Sequence, residues 1–201
     1  MISESLIFYA FVLLATGIAV GFFCGLLGVG GGFLMVPIQI WLLSLQGVEA
    51  TLATRIAFAT SLAVVLPTAI SGCRKHSCWG VVLWQEGVII GLFGMLGGFL
   101  GGTIASYAPG ELLRMIFGII VILAAARMLL VPHFQAPQEP HNRPKKSIIQ
   151  YMIWGVAVGV LSGLTGIGGG LMLVPIMIIA LGFNLYQAIG TSSVAISFNA
   201  L

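Results

Sequence analysis

The sequence has 201 residues, of which 59% are apolar and only 6% are charged, and its formal net charge is +3. Soluble domains carry roughly 25% charged residues, so this composition excludes a globular domain with a water-facing surface. Apolar runs of roughly 20 residues, long enough to cross about 30 Å of hydrocarbon, recur along the chain. We therefore predict an all-α polytopic membrane protein whose helices cross the bilayer several times.

The apolar runs and the polar breaks between them define eight predicted segments. In chain order they are A, residues 6–27; B, 33–45; C, 52–71; D, 81–107; E, 111–131; A′, 148–165; B′, 171–181; and C′, 186–201. Residues 133–147 contain three prolines and three Lys or Arg residues, which predicts a cytoplasmic linker. The three cysteines and three histidines are too dispersed for a metal site, and we expect no metal, no cofactor and no enzymatic activity.

The chain contains an internal repeat. Residues 21–38 align with residues 159–176, and every glycine of the first stretch, as well as its proline, has an identical partner in the second. The pair Thr60 and Ser61 is likewise matched by Thr191 and Ser192. We therefore predict a first repeat over residues 1–132, the linker, and a second repeat over residues 148–201. Nothing in the second repeat corresponds to segments D and E, so we expect a truncated copy and a complete protein of about 260 to 270 residues.

Basic residues predict the orientation of the segments. Arg74 and Lys75 lie between C and D, and Arg143, Lys145 and Lys146 lie in the linker. By the positive-inside rule both stretches belong to the cytoplasm, which indicates a multi-pass protein of the inner (plasma) membrane. If segment B crosses completely, the two repeats are inverted, whereas they are parallel if B only re-enters. The lack of Lys and Arg before segment A favours inversion.

Two glycine-rich stretches, residues 28–32 and 166–170, interrupt apolar segments at matching positions of the repeat. Backbone without helical hydrogen bonds is tolerated at membrane depth only where it is buried in protein or lines a wet cavity. Glycine allows a close approach to a ligand, and the helix that follows offers unpaired N–H groups and a partial positive charge to an anion. Broken helices at matching positions of two repeats are typical of the central site of a transporter.

We therefore predict an anion site between the repeats, with the hydroxyls of segments C and C′ assisting the glycine amides. The candidate residues are Gly28, Gly30, Gly31, Gly32, Pro37, Thr60, Ser61, Gly166, Gly168, Gly169, Gly170, Pro175, Thr191 and Ser192. Two simpler interpretations stay open: the glycines could serve only close helix packing, and each hydroxyl could bond a carbonyl of its own helix.

Several of these features together resemble one protein family. They are the duplicated GxGGGxxxxP element, residues 59–61, the loop of residues 71–84 and the glycine-rich helix after it. The combination resembles the sulfite exporter TauE/SafE family of membrane permeases. The resemblance implies movement of sulfur-containing anions, such as sulfite, thiosulfate or organosulfonates, across the bacterial inner membrane.

The function predicted from the sequence is a secondary transporter that works by alternating access. We expect a small anionic substrate and the lipid bilayer as partners, no nucleic acid, and leave a homo-oligomer open. Two alternatives belong to other classes of protein: a channel-like anion pore, and a membrane partner or assembly subunit that does not transport.

Overall fold

The computed structural model describes residues 11–22, 31–130 and 147–200, in which every regular element is a helix. The helices are α1, Phe11–Phe22; α2, Gly32–Leu45; α3, Ala50–Cys78; α4, Trp84–Tyr107; α5, Gly110–Leu130; α6, Ile148–Thr165; α7, Gly170–Ile179; and α8, Leu185–Asn199. The all-helical prediction is confirmed for this part of the chain. The ends of segment A, residues 23–30 and the linker up to residue 146 lie outside the described residues.

Three of the described helices, α3, α4 and α6, are long and apolar enough to cross a membrane. The shorter helices α1, α2 and α7 are apolar as well. Large apolar side chains such as Phe99 and Ile122 are more than half exposed, as expected for surfaces that face lipid rather than water. The predicted class of membrane protein therefore agrees with the length and the surface of these helices.

Helix α3 is longer than predicted. Segment C was expected to end at residue 71, with Arg74 and Lys75 in a connecting loop, but the helix continues to Cys78. No proline interrupts residues 72–78, and Lys75 and His76 lie in the last turn, where positive charge is favourable to the helix dipole. The connection to α4 is therefore short, and it begins with Gly80 in a left-handed conformation (φ 68°).

Helices α4 and α6 form a close, parallel pair. A Cβ atom added to Gly159 would lie 2.8 Å from the Cα atom of Gly94, and Gly155 and Gly163 meet Ile90 and Gly98 in the same way. Residue numbers rise together along both helices, so the two run in the same direction. Small residues at four-residue spacing let the two backbones touch, which is the packing that the glycines of segment D predict.

Helices α3 and α8 pack in opposite directions. Gly190 lies beside His76 near the end of α3, whereas Ile196 packs against Val65 in the middle of α3. Most of α8 is buried, because α3, α4 and α7 all pack against it. Helix α8 is thus the central helix of the described bundle.

Two arginines join the helices at the opposite end of α3. The guanidinium of Arg55 donates to the carbonyl of Ala108 at 3.0 Å. Arg114 donates from Nε to the hydroxyl of Thr54 at 2.7 Å and from its terminal nitrogen to the carbonyl of Ala50 at 2.8 Å. Both arginines bind helix ends within the protein.

Candidate functional site

Helices α2 and α7 begin in the same way, directly after the glycine-rich breaks. The residue before each helix is a glycine in the left-handed conformation: Gly31 has φ 60° and ψ −13°, and Gly169 has φ 83° and ψ −14°. Neither helix start has a side-chain cap. The first N–H groups of an α-helix have no partner inside the helix, so both helix starts offer N–H donors and a partial positive charge.

The start of α2 and the second break lie in contact. A Cβ atom on Gly32 would come within 2.8 Å of the Cα and carbonyl oxygen of Ile167, and within 2.9 Å of the Ser61 hydroxyl. The second break also runs along α3, because Gly166 packs against Phe58 and Gly168 against the side chain of Val65. The structure therefore brings Gly31, Gly32, Ser61, Gly166, Gly168, Gly169 and Gly170 into one region.

The other predicted hydroxyls have partners of their own. Thr60 is exposed, and its hydroxyl lies 2.7 Å from Oε1 of Gln39 and 2.8 Å from the carbonyl of Ile56. The Thr191 hydroxyl accepts a hydrogen bond from the N–H of Leu83 at 3.0 Å. That bond holds the α3–α4 connection against α8, so the Thr191 hydroxyl has a structural role.

Ser61 and Ser192 occupy matching positions of the repeat but differ in their bonding. The Ser192 hydroxyl donates to the carbonyl of Ile189 in its own helix at 2.9 Å. The Ser61 hydroxyl is fully buried beside Gly32 and has no hydrogen-bond partner among the described residues. Of the predicted hydroxyls, that of Ser61 is the one left free beside the glycine-rich breaks.

The two prolines lie inside the helices that follow the breaks. Pro37 is in α2 and Pro175 is in α7, each five residues after the first residue of its helix. Proline lacks an N–H, so the carbonyls of Phe33 and Leu171, four residues earlier, lose their usual helical partner. The prolines therefore remove one hydrogen bond from the first turns of each helix. Gly28 and Gly30, the remaining predicted site residues, lie outside the described residues.

A small cavity of about 10 Å³ lies beside the second break. That volume is about what one water molecule occupies. Its described lining includes Ser162, Thr165, Ile167 and Gly169, and no charged side chain belongs to that lining. A sulfite-sized anion is larger than this cavity and could enter only if the surrounding helices moved apart. The polar groups that it would then meet are neutral hydroxyls and peptide N–H groups.

Two buried polar side chains near this cavity are not among the predicted site residues. Ser162 takes the place of Cys24 in the repeat, where two small residues favour a packing role and leave a substrate contact as the alternative. Asn199 stands where the first repeat has Thr68, so no matching residue type draws attention to it. Neither the Ser162 hydroxyl nor the Asn199 carboxamide has a hydrogen-bond partner in the described part of the chain.

A wider groove of about 680 Å³ opens at the start of α4 and α6, beside Trp84, Ile148 and Tyr151. Helix α6 has 18 residues and spans about 27 Å at 1.5 Å per residue, so this groove lies at the far end from the glycine-rich break. The groove is open and mainly apolar, as expected of a surface in contact with lipid. Its position separates it from the broken helices.

Comparisons with known proteins identify relatives over most of the chain. The family described as "Sulfite exporter TauE/SafE" matches residues 13–201. A "Probable membrane transporter protein" of Haemophilus influenzae is 33% identical over 187 residues, which are 92% of this chain and 69% of the relative. One of Xylella fastidiosa is 32% identical over 185 residues with the same shares. The "Probable membrane transporter protein YunE" of Bacillus subtilis is 26% identical over 208 residues, 94% and 75% of the two chains.

No solved structure matches the chain. The family assignment rests instead on the match over residues 13–201 and on relatives above 30% identity across two thirds of their length. The resemblance inferred from the glycine and proline motifs is thereby confirmed. The chain belongs to the sulfite exporter TauE/SafE family of membrane transporters.

Proposed function

We propose that this protein is a secondary transporter that moves small sulfur-containing anions across the inner membrane by alternating access. The anions are sulfite, thiosulfate or an organosulfonate. The observation that carries the proposal is the contact between the start of α2 and the break before α7, at Gly32 and Ile167. The N-terminus of α2 thus lies against the break from which α7 begins, and helix N-termini inside an apolar bundle stabilise a negative charge without a counter-ion.

The chemistry of the site suits an anion rather than a cation. The first turns of α2 and α7 offer N–H donors, and the Ser61 hydroxyl is a further free donor beside Gly32. The described residues that line the neighbouring cavity include no Asp or Glu. The donors are neutral, so the anion can leave the site without breaking an ion pair.

The directions of the helices support two inverted repeats. Helices α3 and α8 hold matching positions of the repeat and run in opposite directions, as inversion requires. Helices α4 and α6 run in the same direction, so their starts, which follow the two basic stretches, lie on one side. Alternating access by rocking of one repeat against the other is the mechanism that such an arrangement permits.

Counterflow tests the proposed mechanism. Vesicles with the purified protein are loaded with unlabelled sulfite, and uptake of radiolabelled sulfite is measured with and without that internal anion. A carrier gives faster labelled uptake when the same anion is inside, and the uptake saturates. A pore gives uptake that does not saturate and shows no counterflow, and a non-transporting subunit gives neither. Thiosulfate, taurine and sulfoacetate tested in the same way define the substrate.

A pair of glycine variants tests the position of the site. Gly169 and Gly182 both have a left-handed backbone, with φ of 83° and 75°, so alanine imposes a similar backbone strain at either position. Gly169 precedes α7 in the site, whereas an added Cβ at Gly182 meets nothing within 4 Å. We expect Gly169→Ala to abolish anion flux and Gly182→Ala to retain it. Equal flux in both variants would refute the proposed site.

A further inference from the structure

Asn199, in the last turn of α8, is a buried carboxamide without a hydrogen-bond partner. Its side chain is 7% exposed, and neither Oδ1 nor Nδ2 has a partner among the described residues. An unpaired polar group in an apolar interior costs about 1–3 kcal/mol, and Asn199 carries two such atoms. A buried asparagine at this cost indicates that a water molecule or a ligand binds its carboxamide.

The orientation of the carboxamide places its donor next to the second glycine-rich break. A Cβ atom on Gly169 would lie 3.1 Å from Nδ2 of Asn199, and the carboxamide as a whole packs against Gly94 of α4, with Oδ1 nearest to it. The same Cβ atom would lie 3.5 Å from Cβ of Ser162. Asn199 and Ser162 therefore flank the glycine that begins α7.

Ser162 is a second unpaired donor at this place. The residue is 1% exposed, its hydroxyl has no partner among the described residues, and it lines the small cavity together with Gly169. Two serines of α8 differ from it, because the hydroxyls of Ser193 and Ser197 donate to carbonyls in their own helix at 3.0 Å and 2.8 Å. Unpaired hydroxyl and amide donors thus coincide at the N-terminus of α7.

We propose that Asn199 and Ser162 are side-chain ligands of the transported anion, an inference that rests on the proposed function. The cavity between these residues holds about one water molecule, so the site must widen to admit the anion. Nδ2 of Asn199 then donates to one oxygen of the anion, the Ser162 hydroxyl donates to a second, and the first N–H groups of α7 complete the shell. An oxyanion with two or more terminal oxygens meets both side chains at once.

Sulfite binding and thermal unfolding of the purified full-length chain test this assignment. The variants are Asn199→Ala, Asn199→Asp and Ser162→Ala, and the matched control is Ser197→Ala, whose hydroxyl is already bonded within α8. Without sulfite, we expect Asn199→Ala and Ser162→Ala to unfold at or above the wild-type temperature, because each removes an unpaired polar group. A purely structural role would instead lower that temperature.

With sulfite, we expect the rise in unfolding temperature to be lost in both alanine variants. The dissociation constant should increase about tenfold or more, since each variant removes a hydrogen bond to a charged group. Asn199→Asp should bind sulfite more weakly still, because a carboxylate repels the anion. The Ser197→Ala control should bind as the wild type does.

Two results would overturn the assignment, and they differ in what else they refute. If both alanine variants bind sulfite with the wild-type dissociation constant while Gly169→Ala does not, the ligand assignment is wrong and the proposed function stands. If the wild-type chain binds no sulfite, thiosulfate or organosulfonate, the proposed function is wrong as well. If Asn199→Ala does not fold, Ser162→Ala decides the question.

Discussion

Gly32 is the residue at which the two glycine-rich breaks come into contact. A methyl group there would lie 2.8 Å from two backbone atoms of Ile167 and 2.9 Å from the Ser61 hydroxyl. Backbone atoms cannot rotate away as the end of a side chain can, so the contact leaves no room for Cβ. The close approach of α2 to the second break therefore depends on this glycine.

Replacement of Gly32 by alanine should destabilise the protein. Overpacking of a tight interior contact costs about 1–3 kcal/mol, and Gly32→Ala should lower the free energy of unfolding in mixed micelles by that amount. The matched control is Gly118→Ala in α5, where an added Cβ meets nothing within 4 Å. That control should be neutral or stabilising, by up to about 1 kcal/mol, because alanine favours helix over glycine. A stable Gly32→Ala variant would contradict the contact between the breaks.

At the scale of helices, the sequence predicted where the chain breaks better than where its side chains point. The glycine runs correctly placed the starts of α2 and α7 within one residue, because a left-handed backbone requires glycine there. The end of α3 was predicted seven residues too early, because Arg74 and Lys75 were assigned to a loop on charge alone. Positive charge is also favourable at the C-terminus of a helix, where it interacts with the helix dipole, so these two residues need no loop.

The neighbours of the site hydroxyls could not be predicted from the repeat. Matching positions in two repeats share a residue type, yet the neighbours that they meet are set by tertiary packing. Thr191 accepts a bond from Leu83, and Thr60 faces Gln39, whereas Ser61 lies free beside Gly32. Asn199 was not predicted as a site residue, because the matching position of the first repeat has no amide. Its burial results from the packing of α4, α7 and α8, which the sequence does not show.

The packing of α4 on α6 predicts how a substitution at Gly159 changes stability, and the matching residue of the first repeat, Gly21, serves as the control. Gly159 and Gly21 are matching residues, but Gly159 touches the backbone of α4 whereas an added Cβ on Gly21 meets nothing within 4 Å. Gly159→Leu should separate α4 from α6 and destabilise the protein by about 3 kcal/mol or more. Gly21→Leu should leave the stability of this chain within about 1 kcal/mol of wild type, since leucine also favours helix.

Unfolding in mixed micelles measures both leucine variants, and helix content by circular dichroism shows whether each one folds. Similar destabilisation by the two substitutions would contradict the described packing. Destabilisation by Gly21→Leu would mean that α1 packs against another part of this chain at Gly21. An unchanged stability of Gly159→Leu would show that α4 and α6 are not in backbone contact.

At the scale of the whole molecule, the parallel course of α4 and α6 predicts the sidedness of the protein. Ser147 precedes α6 and Gln85 lies in the first turn of α4, and both are exposed. Tyr107, at the end of α4, is 89% exposed. Single cysteines at residues 85 and 147 should react with a membrane-impermeant maleimide from the cytoplasmic side.

A cysteine at residue 107 should react from the opposite side, because α4 is long enough to cross the bilayer. The native cysteines are first replaced by serine, and a detergent-permeabilised sample confirms that every introduced thiol can react. Reaction of residues 85 and 147 from opposite sides would be incompatible with the inverted arrangement proposed for the repeats.

The anion bound between the broken helices is the central claim, and selenium anomalous scattering locates it most directly. Selenite is a close chemical analogue of sulfite, and crystals of the protein grown with it would reveal the position of the selenium atom. We predict one selenium site within hydrogen-bonding reach of the first N–H groups of α7, beside Ser162 and Asn199. Selenium bound only at Arg55 and Arg114, or no bound selenium at saturating selenite, would contradict the claim.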